Sequence, residues 1–304
     1  MDLPPDFIRN IKDAFGRQGE EFLADLPALI AEASRRWGLA DVEPVASLSY
    51  NFVAYATCRE EPLVLKIGLP NLELKSEIAA LRIYDGAAAV RLLDADPQRG
   101  FLLLERLQPG TMLSSLADDE QATHIAADVM LRLWRPAPED GELVRLSDWF
   151  KGFEQLRARF AGGTGPLESR LVERAEAAVR AFFAEDYLPM LIHGDLHHFN
   201  VLASGRGWLA IDPKGVVGPA AYEVGPLLIN PWDDLLRWPD PVRITERRIA
   251  ILAERLEIER ERVREWGIAH AILSAWWSME DSGNGWDYSL ACARVIARTR
   301  PKLN

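Results

Sequence analysis

The chain is short of cysteine, histidine and positive charge, and it has no long apolar run. Of its 304 residues two are cysteines, Cys58 and Cys292, and their spacing suggests neither a disulfide framework nor a thiolate zinc site. A reducing, cytoplasmic setting is expected. No stretch is apolar for long enough to span a bilayer, and the opening MDLPPDFIRNIKD lacks the basic end and apolar core of a secretory signal. A membrane is not an expected partner. Lysine and arginine number 35 against 46 aspartates and glutamates, for a net charge of −11. A general nucleic-acid binder needs a basic face that displaces counterions, so nucleic acid is not expected either. An acidic cleft would instead attract a cationic small molecule.

What is present is organised in two halves. The residues through about Gly38 read as helical, because EEFLADLPALIAEASRRWG carries apolar residues at helical spacing and closes on glycine. From Val42 to Ile67, VEPVASLSYNFVAYATC and PLVLKIG are short β-favouring runs separated by turn residues. A helix follows in LELKSEIAALRIYDG, and AVRLLDA and FLLLERL complete the region near Leu107. QPG at 108–110 looks like a connector. Beyond it helices are expected over 119–135, 147–161, 166–186, 244–256 and 259–280, with another near the C-terminus. The expected division is an N-terminal lobe over 1–107, with leading helices over 1–38, and a C-terminal lobe over 108–304.

One β island interrupts the helical half, at 191–215: LIHGDLHHFNVLASGRGWLAIDPKG. FNVLA and WLAID flank SGRG, whose glycines suit a tight turn. Folding back around that turn pairs Ala203 with Trp208 and brings Asn200 almost opposite Asp212. Asp195 lies on the loop entering the hairpin. An amide oxygen and a carboxylate are hard ligands that suit magnesium. A second carboxylate that is not a ligand can accept a proton from a hydroxyl. Together these are the parts of kinase-type phosphoryl transfer. A rival reading takes His193, Asp195, His197 and His198 as the transition-metal site of a hydrolase. It needs further ligands, only His124 and His270 remain, and it leaves Asn200 and Asp212 unused. Taken singly, His197 and His198 read as capping or packing residues and His193 as a brace of the loop.

A kinase needs a phosphate-holding lysine and a carboxylate that positions it. Strand alternation in PLVLKIG puts Lys66 with Val64, on the face opposite Leu63, Leu65 and Ile67. In the helix that follows, Leu74, Ile78 and Leu81 form an apolar stripe, and Glu77 flanks it where it can reach Lys66. Glu73 is one turn earlier and reads as part of a solvated face. LLLERL would leave the small lobe with Glu105 to Leu107 as the hinge beside a nucleotide base.

HGDLHHFN resembles the catalytic motif of the aminoglycoside phosphotransferases, and LAIDPKG is similar to that family's version of the kinase metal-binding segment. The double histidine, IDPKG and EIAALRIYDG resemble most the streptomycin 6-phosphotransferase and hydroxyurea-kinase branch. The resemblance covers about 45–235 and is sharpest at 191–231. It implies an α+β, bilobal, protein-kinase-like fold: a small lobe with an antiparallel sheet and one key helix, and a larger, mainly helical lobe. It implies ATP or GTP as phosphoryl donor, with Asp195 as base, Asn200 and Asp212 holding Mg2+, and Lys66 on the phosphates, positioned by Glu77. Ser49 sits in LSYNFVA, where protein kinases carry a glycine-rich phosphate loop, and Lys214 follows the metal aspartate. Glu223, in AYEVG, stands where relatives carry an aspartate that braces the catalytic loop.

SAWWSMEDSGNGWDYS gathers Trp276, Trp277, Glu280, Asp281, Trp286 and Asp287. Carboxylates and aromatic faces suit guanidinium or ammonium groups, and Glu280 and Asp281 are the candidate acceptor contacts, with Trp276 and Trp277 as packing residues. A streptomycin-type aminoglycoside is the leading acceptor, with hydroxyurea or another hydroxylated metabolite behind it. A nucleotide-binding protein of the same fold without catalysis is the alternative of another class.

Overall fold

The computed structural model describes residues 3–139, 143–232, 234–281 and 283–300. The first half runs α1 (Pro5–Trp37), β1 (Ala40–Pro44), β2 (Phe52–Cys58), β3 (Glu61–Ile67), α2 (Leu72–Tyr84), β4 (Leu92–Asp96) and β5 (Phe101–Glu105). The five strands form one antiparallel sheet in the order β1-β2-β3-β5-β4. Its alternating side chains divide between two cores. Phe52, Ala54, Leu65, Ile67 and Phe101 pack under α1 against Phe7, Ile11, Phe22, Leu26 and Ile30. Leu102 and Leu104 belong instead to the large core, with Leu74, Ile78 and Leu81 of α2. α1 bends at Gly16 (φ 54), which lets its first turns fold against the remainder.

The second half runs β6 (Pro109–Met112), α3 (Asp119–Leu133), β7 (Arg135–Pro136), β8 (Val144–Arg145), α4 (Leu146–Trp149), α5 (Gly152–Arg159), α6 (Ser169–Ala184), β9 (Met190–Ile192), β10 (Val201–Ser204), β11 (Gly207–Ala210) and β12 (Val216–Gly218). It ends with α7 (Val224–Leu228), α8 (Pro241–Leu256), α9 (Arg260–Asp281) and α10 (Trp286–Arg298). The segment expected as a connector opens β6, which pairs antiparallel with β10. Proline and glycine hide the strand in the sequence, but an edge position tolerates both. The helix expected over 147–161 is broken into α4 and α5. At the break Gly152 lies so close to α9 that a Cβ there would stand 2.8 Å from Trp276 Cδ1.

The hairpin has the expected register: Ala203 faces Trp208 and Val201 faces Ala210. One residue further, Ile211 N donates to Asn200 O at 2.9 Å, which leaves Asp212 diagonal to Asn200. The hairpin is tied to the first half where Val90 N donates to Ala210 O at 2.8 Å. β9 and β12 pair antiparallel on either side of the hairpin segment, so both ends of 193–215 are anchored. Among the described residues no helix is long and apolar enough to cross a membrane.

Candidate active site

Three buried contacts shape the loop that carries Asp195. Glu223 is fully buried, and its two carboxylate oxygens accept from His193 N at 2.6 Å and Gly194 N at 2.9 Å. The longer glutamate therefore reaches the loop and satisfies two amides that burial would otherwise strand. Burial pushes its carboxyl up to about 8, with the backbone donors pulling the other way. His193 is likewise fully buried. Its Nε2 lies 2.8 Å from Ile211 O, a carbonyl that only accepts, and its Nδ1 accepts from Asp195 N at 3.2 Å. The proton is thus on Nε2, and burial lowers the imidazole to about 4, which keeps it neutral. Gly194 has φ 88, and a Cβ there would meet Val216 Cγ2 at 2.6 Å, so the turn that presents Asp195 requires glycine.

Asp195 itself is 35 % exposed at the side chain. Burial would raise its carboxyl, but His197, Lys214 and His193 outweigh it and hold it at about 2. Asn200 Nδ2 donates to Asp195 O at 3.0 Å. That bond orients the amide and leaves its oxygen for a cation.

Across the hairpin, Asp212 is the left-handed residue of its turn, at φ 58. One oxygen pairs with Lys66 and the other lies 3.3 Å from Lys214 Nζ. Burial would raise Asp212, and the two ammonium groups bring it well below the usual carboxylate range. Lys66 Nζ also donates to both Glu77 oxygens at 2.7 Å, with the two side chains only 5 % and 8 % exposed. Burial alone would lower the Lys66 ammonium, and Asp212 and Glu77 raise it instead. The carboxylate placed by helical spacing is therefore the one that holds the lysine. Glu73 is exposed.

A partly exposed carboxylate, an amide and a second carboxylate thus gather near a buried lysine. The family model for aminoglycoside/hydroxyurea antibiotic resistance kinases matches residues 36–282. The chain belongs to that family. Streptomycin 6-kinase of Streptomyces glaucescens is 35% identical over 294 residues, covering 94% of each chain. Hydroxyurea phosphotransferase of Kitasatospora aureofaciens is 31% identical, over 92% of this chain and 81% of its own. Among solved structures, a thermostable mutant of the aminoglycoside phosphotransferase APH(4)-Ia in ternary complex with ADP and hygromycin B superposes with a TM-score of 0.61 at 15% identity, covering 88% of this chain and 97% of that one. A choline/ethanolamine kinase family protein of Mesorhizobium loti gives 0.64 at 15% identity, over 89% and 95%. The fold is protein-kinase-like, and the protein is a small-molecule phosphotransferase with an alcohol group as acceptor.

The other expected site residues of this kinase are less concentrated. Ser49 is exposed on the bend between β1 and β2. Glu105 turns its carboxylate to Arg91 N at 2.8 Å and to Arg206, so it ties the end of β5 to the hairpin turn. Leu107 is half-buried against the large core. Asp281 ends α9 across from the small lobe: burial raises its carboxyl and Glu73 adds to the rise, while Asp281 in turn raises Tyr50. Glu280 is exposed, and burial and Asp281 raise it while Arg159 of α5 opposes them. The two candidate acceptor carboxylates thus have different neighbours. Trp276 is buried, as expected of a packing residue, whereas Trp277 is half-buried, edge-to-face on Trp149 at 5.3 Å.

The histidines point apart rather than towards one centre. His198 is buried, with Nε2 3.3 Å from Arg248 Nη2, and Arg248 in turn holds Asp119 and the Asn230 carbonyl. Among the described residues no group of three or more His, Cys, Asp or Glu is placed to hold a metal ion. Sequence reasoning missed Ser76, whose hydroxyl donates to Gly215 O at 2.6 Å and accepts from Val144 N at 3.1 Å. It fastens α2 to the IDPKG turn. Its only signal was a small polar residue inside an apolar stripe.

Proposed function

We propose that this kinase transfers the γ-phosphoryl group of ATP or GTP to a hydroxyl of a streptomycin-type aminoglycoside, with Mg2+ as cofactor. The observation that carries the reading is the meeting of a partly exposed, strongly acidic Asp195 with Asn200 and the Lys66–Asp212 pair. Asp195 orients the acceptor hydroxyl and takes its proton as the oxygen attacks the γ-phosphorus and the nucleoside diphosphate leaves in line. A carboxylate this acidic is a weak base, so it takes the proton late, as the bond to phosphorus forms. Glu77 aims the Lys66 ammonium at the α and β phosphates, and Lys214 adds a second cation beside them. Asn200 Oδ1 and Asp212 would hold magnesium as hard oxygen donors, and the ion would neutralise charge on the phosphates. Glu223 and His193 hold the loop, and Asp281 offers a carboxylate to a cationic acceptor. The lobe boundary at 107/108 and a cytoplasmic setting belong to the same proposal.

The 31% identity to hydroxyurea phosphotransferase supports a second acceptor, hydroxyurea or another small hydroxylated metabolite. Magnesium-dependent release of ADP from ATP, or of GDP from GTP, scanned over streptomycin, other aminoglycosides and hydroxyurea, tests both. Streptomycin-stimulated release is expected, and Asp195→Asn is expected to cut turnover by about a hundred-fold or more while nucleotide binding survives. Unchanged turnover in Asp195→Asn removes the assigned base. Nucleotide binding without release for any acceptor favours the non-catalytic alternative.

A further inference from the structure

His197 follows Asp195 by two residues, and its two ring nitrogens have different surroundings. Nδ1 accepts from the backbone N–H of Phe199 at 3.3 Å. A backbone amide only donates, so Nδ1 carries a lone pair and the ring proton sits on Nε2. Nε2 lies 3.7 Å from Asp195 Oδ2 and 3.3 Å from Asn200 Nδ2. Two donors do not bond each other, and Asn200 Nδ2 already donates to Asp195 O. The Asp195 carboxylate is therefore the acceptor beside the Nε2–H. The ring is 16 % exposed and stands edge-to-face to Phe199 at 5.8 Å, so its neighbours fix its plane. At 3.7 Å the contact is longer than a hydrogen bond, and catalytic bonds in ligand-free enzymes commonly tighten in the complex.

We infer that His197 is a positioning residue for phosphoryl transfer: its Nε2–H holds Asp195 Oδ2 and turns the other carboxylate oxygen towards the acceptor hydroxyl. This role presupposes the kinase reaction proposed above. Without the contact the carboxylate is free to turn about its Cβ–Cγ bond, and the hydroxyl meets it in a productive orientation less often. The nucleotide, held by Lys66, Asn200 and Asp212, is bound as before.

His197→Gln, His197→Asn and His197→Leu separate this role from packing. The glutamine amide nitrogen falls where Nε2 stands, the asparagine nitrogen falls at Nδ1, and leucine supplies neither. For Leu and Asn, kcat is expected to fall about ten- to a hundred-fold with KM for ATP within about two-fold, and Gln is expected to recover most of the loss. In an Asp195→Asn background His197→Leu should add nothing, because its partner is already gone. Wild-type kcat in the leucine variant, a glutamine variant as slow as leucine, or additive losses with Asp195→Asn each overturn the role. A second readout needs no turnover. In 15N-labelled protein, with the His197 signals assigned by their absence from His197→Gln, the ring should be the Nε2–H tautomer and its Nε2 resonance should move in Asp195→Asn. A proton on Nδ1, or no movement, overturns the inference even if no acceptor is phosphorylated, an outcome that would separately count against the proposed reaction.

Discussion

Acid should remove a specific part of this protein's stability through His270. The ring is 5 % exposed, and its Nδ1 lies 2.8 Å from Tyr222 Oη. Burial raises the Tyr222 hydroxyl well above its ordinary value, so it stays protonated and pairs with the ring as a neutral partner. Charging the imidazole therefore means desolvating a cation beside a neutral group. Burial lowers His270 from 6.5 to about 4, and Asp195 opposes it only in part. Because the folded value is the lower one, the unfolded chain takes up the proton first. The contribution is whole above about pH 6.5 and is lost as pH falls towards about 4. Proton linkage between those two values gives a loss of about 2 kcal/mol at about pH 5 and about 3 kcal/mol at about pH 4. His270→Gln removes the titration and keeps a polar partner for Tyr222. Urea unfolding of both proteins from about pH 7.5 to pH 5 measures the difference, and His193, present in both, cancels from it. The glutamine variant carries a constant offset from imperfect packing, but its stability should fall by about 2 kcal/mol less across that range. Parallel stability curves for the two proteins would refute the reasoning.

Two further changes probe the joint between the lobes. Glu77→Gln strips one carboxylate from Lys66 but leaves Asp212, so the cost should be about 2 kcal/mol, below that of a fully orphaned buried charge. Steady-state kinetics should show it as a roughly thirty-fold fall in kcat/KM for ATP, and wild-type kinetics would mean that Glu77 does not aim the lysine. Gly215→Ala puts a side chain at φ 65 with its Cβ 2.4 Å from Ser76 O, against backbone that belongs to α2. The left-handed conformation alone costs about 1 to 2 kcal/mol, and the clash adds to it, so both the melting temperature and turnover should fall. A variant with wild-type melting and turnover would show that α2 and the IDPKG turn separate without consequence.

Much of the site was legible because its signals are local. The register around SGRG follows from turn glycines between two apolar runs, and it carried Asn200 towards Asp212 without any long-range information. Glu77 was found the same way, from a helical stripe that dictates which residue borders the buried face. What was not legible depended on approach between segments remote in sequence. Ser76 gave no sign of bonding Gly215, 139 residues away. Nor did Glu280 and Asp281, adjacent in sequence, announce that they would have different neighbours, since that depends on how α9 is rotated against α5 and the small lobe. β6 was hidden for another reason: proline and glycine erase a strand's sequence signature, but an edge position tolerates them.

By itself, then, the sequence determined the kinase-like order of elements, the register that carries Asn200 towards Asp212, and the helical stripe that sets Glu77 beside Lys66. Periodicity and turn chemistry act over a few residues and do not need the rest of the chain. The tertiary structure alone decided which way the histidines face, with His193 on a carbonyl, His198 on a buried arginine and His197 beside Asp195. A ring's role is set by which donors and acceptors surround it, and those partners come from the residue after β11, from α8 and from the ring's own loop, brought together only by folding.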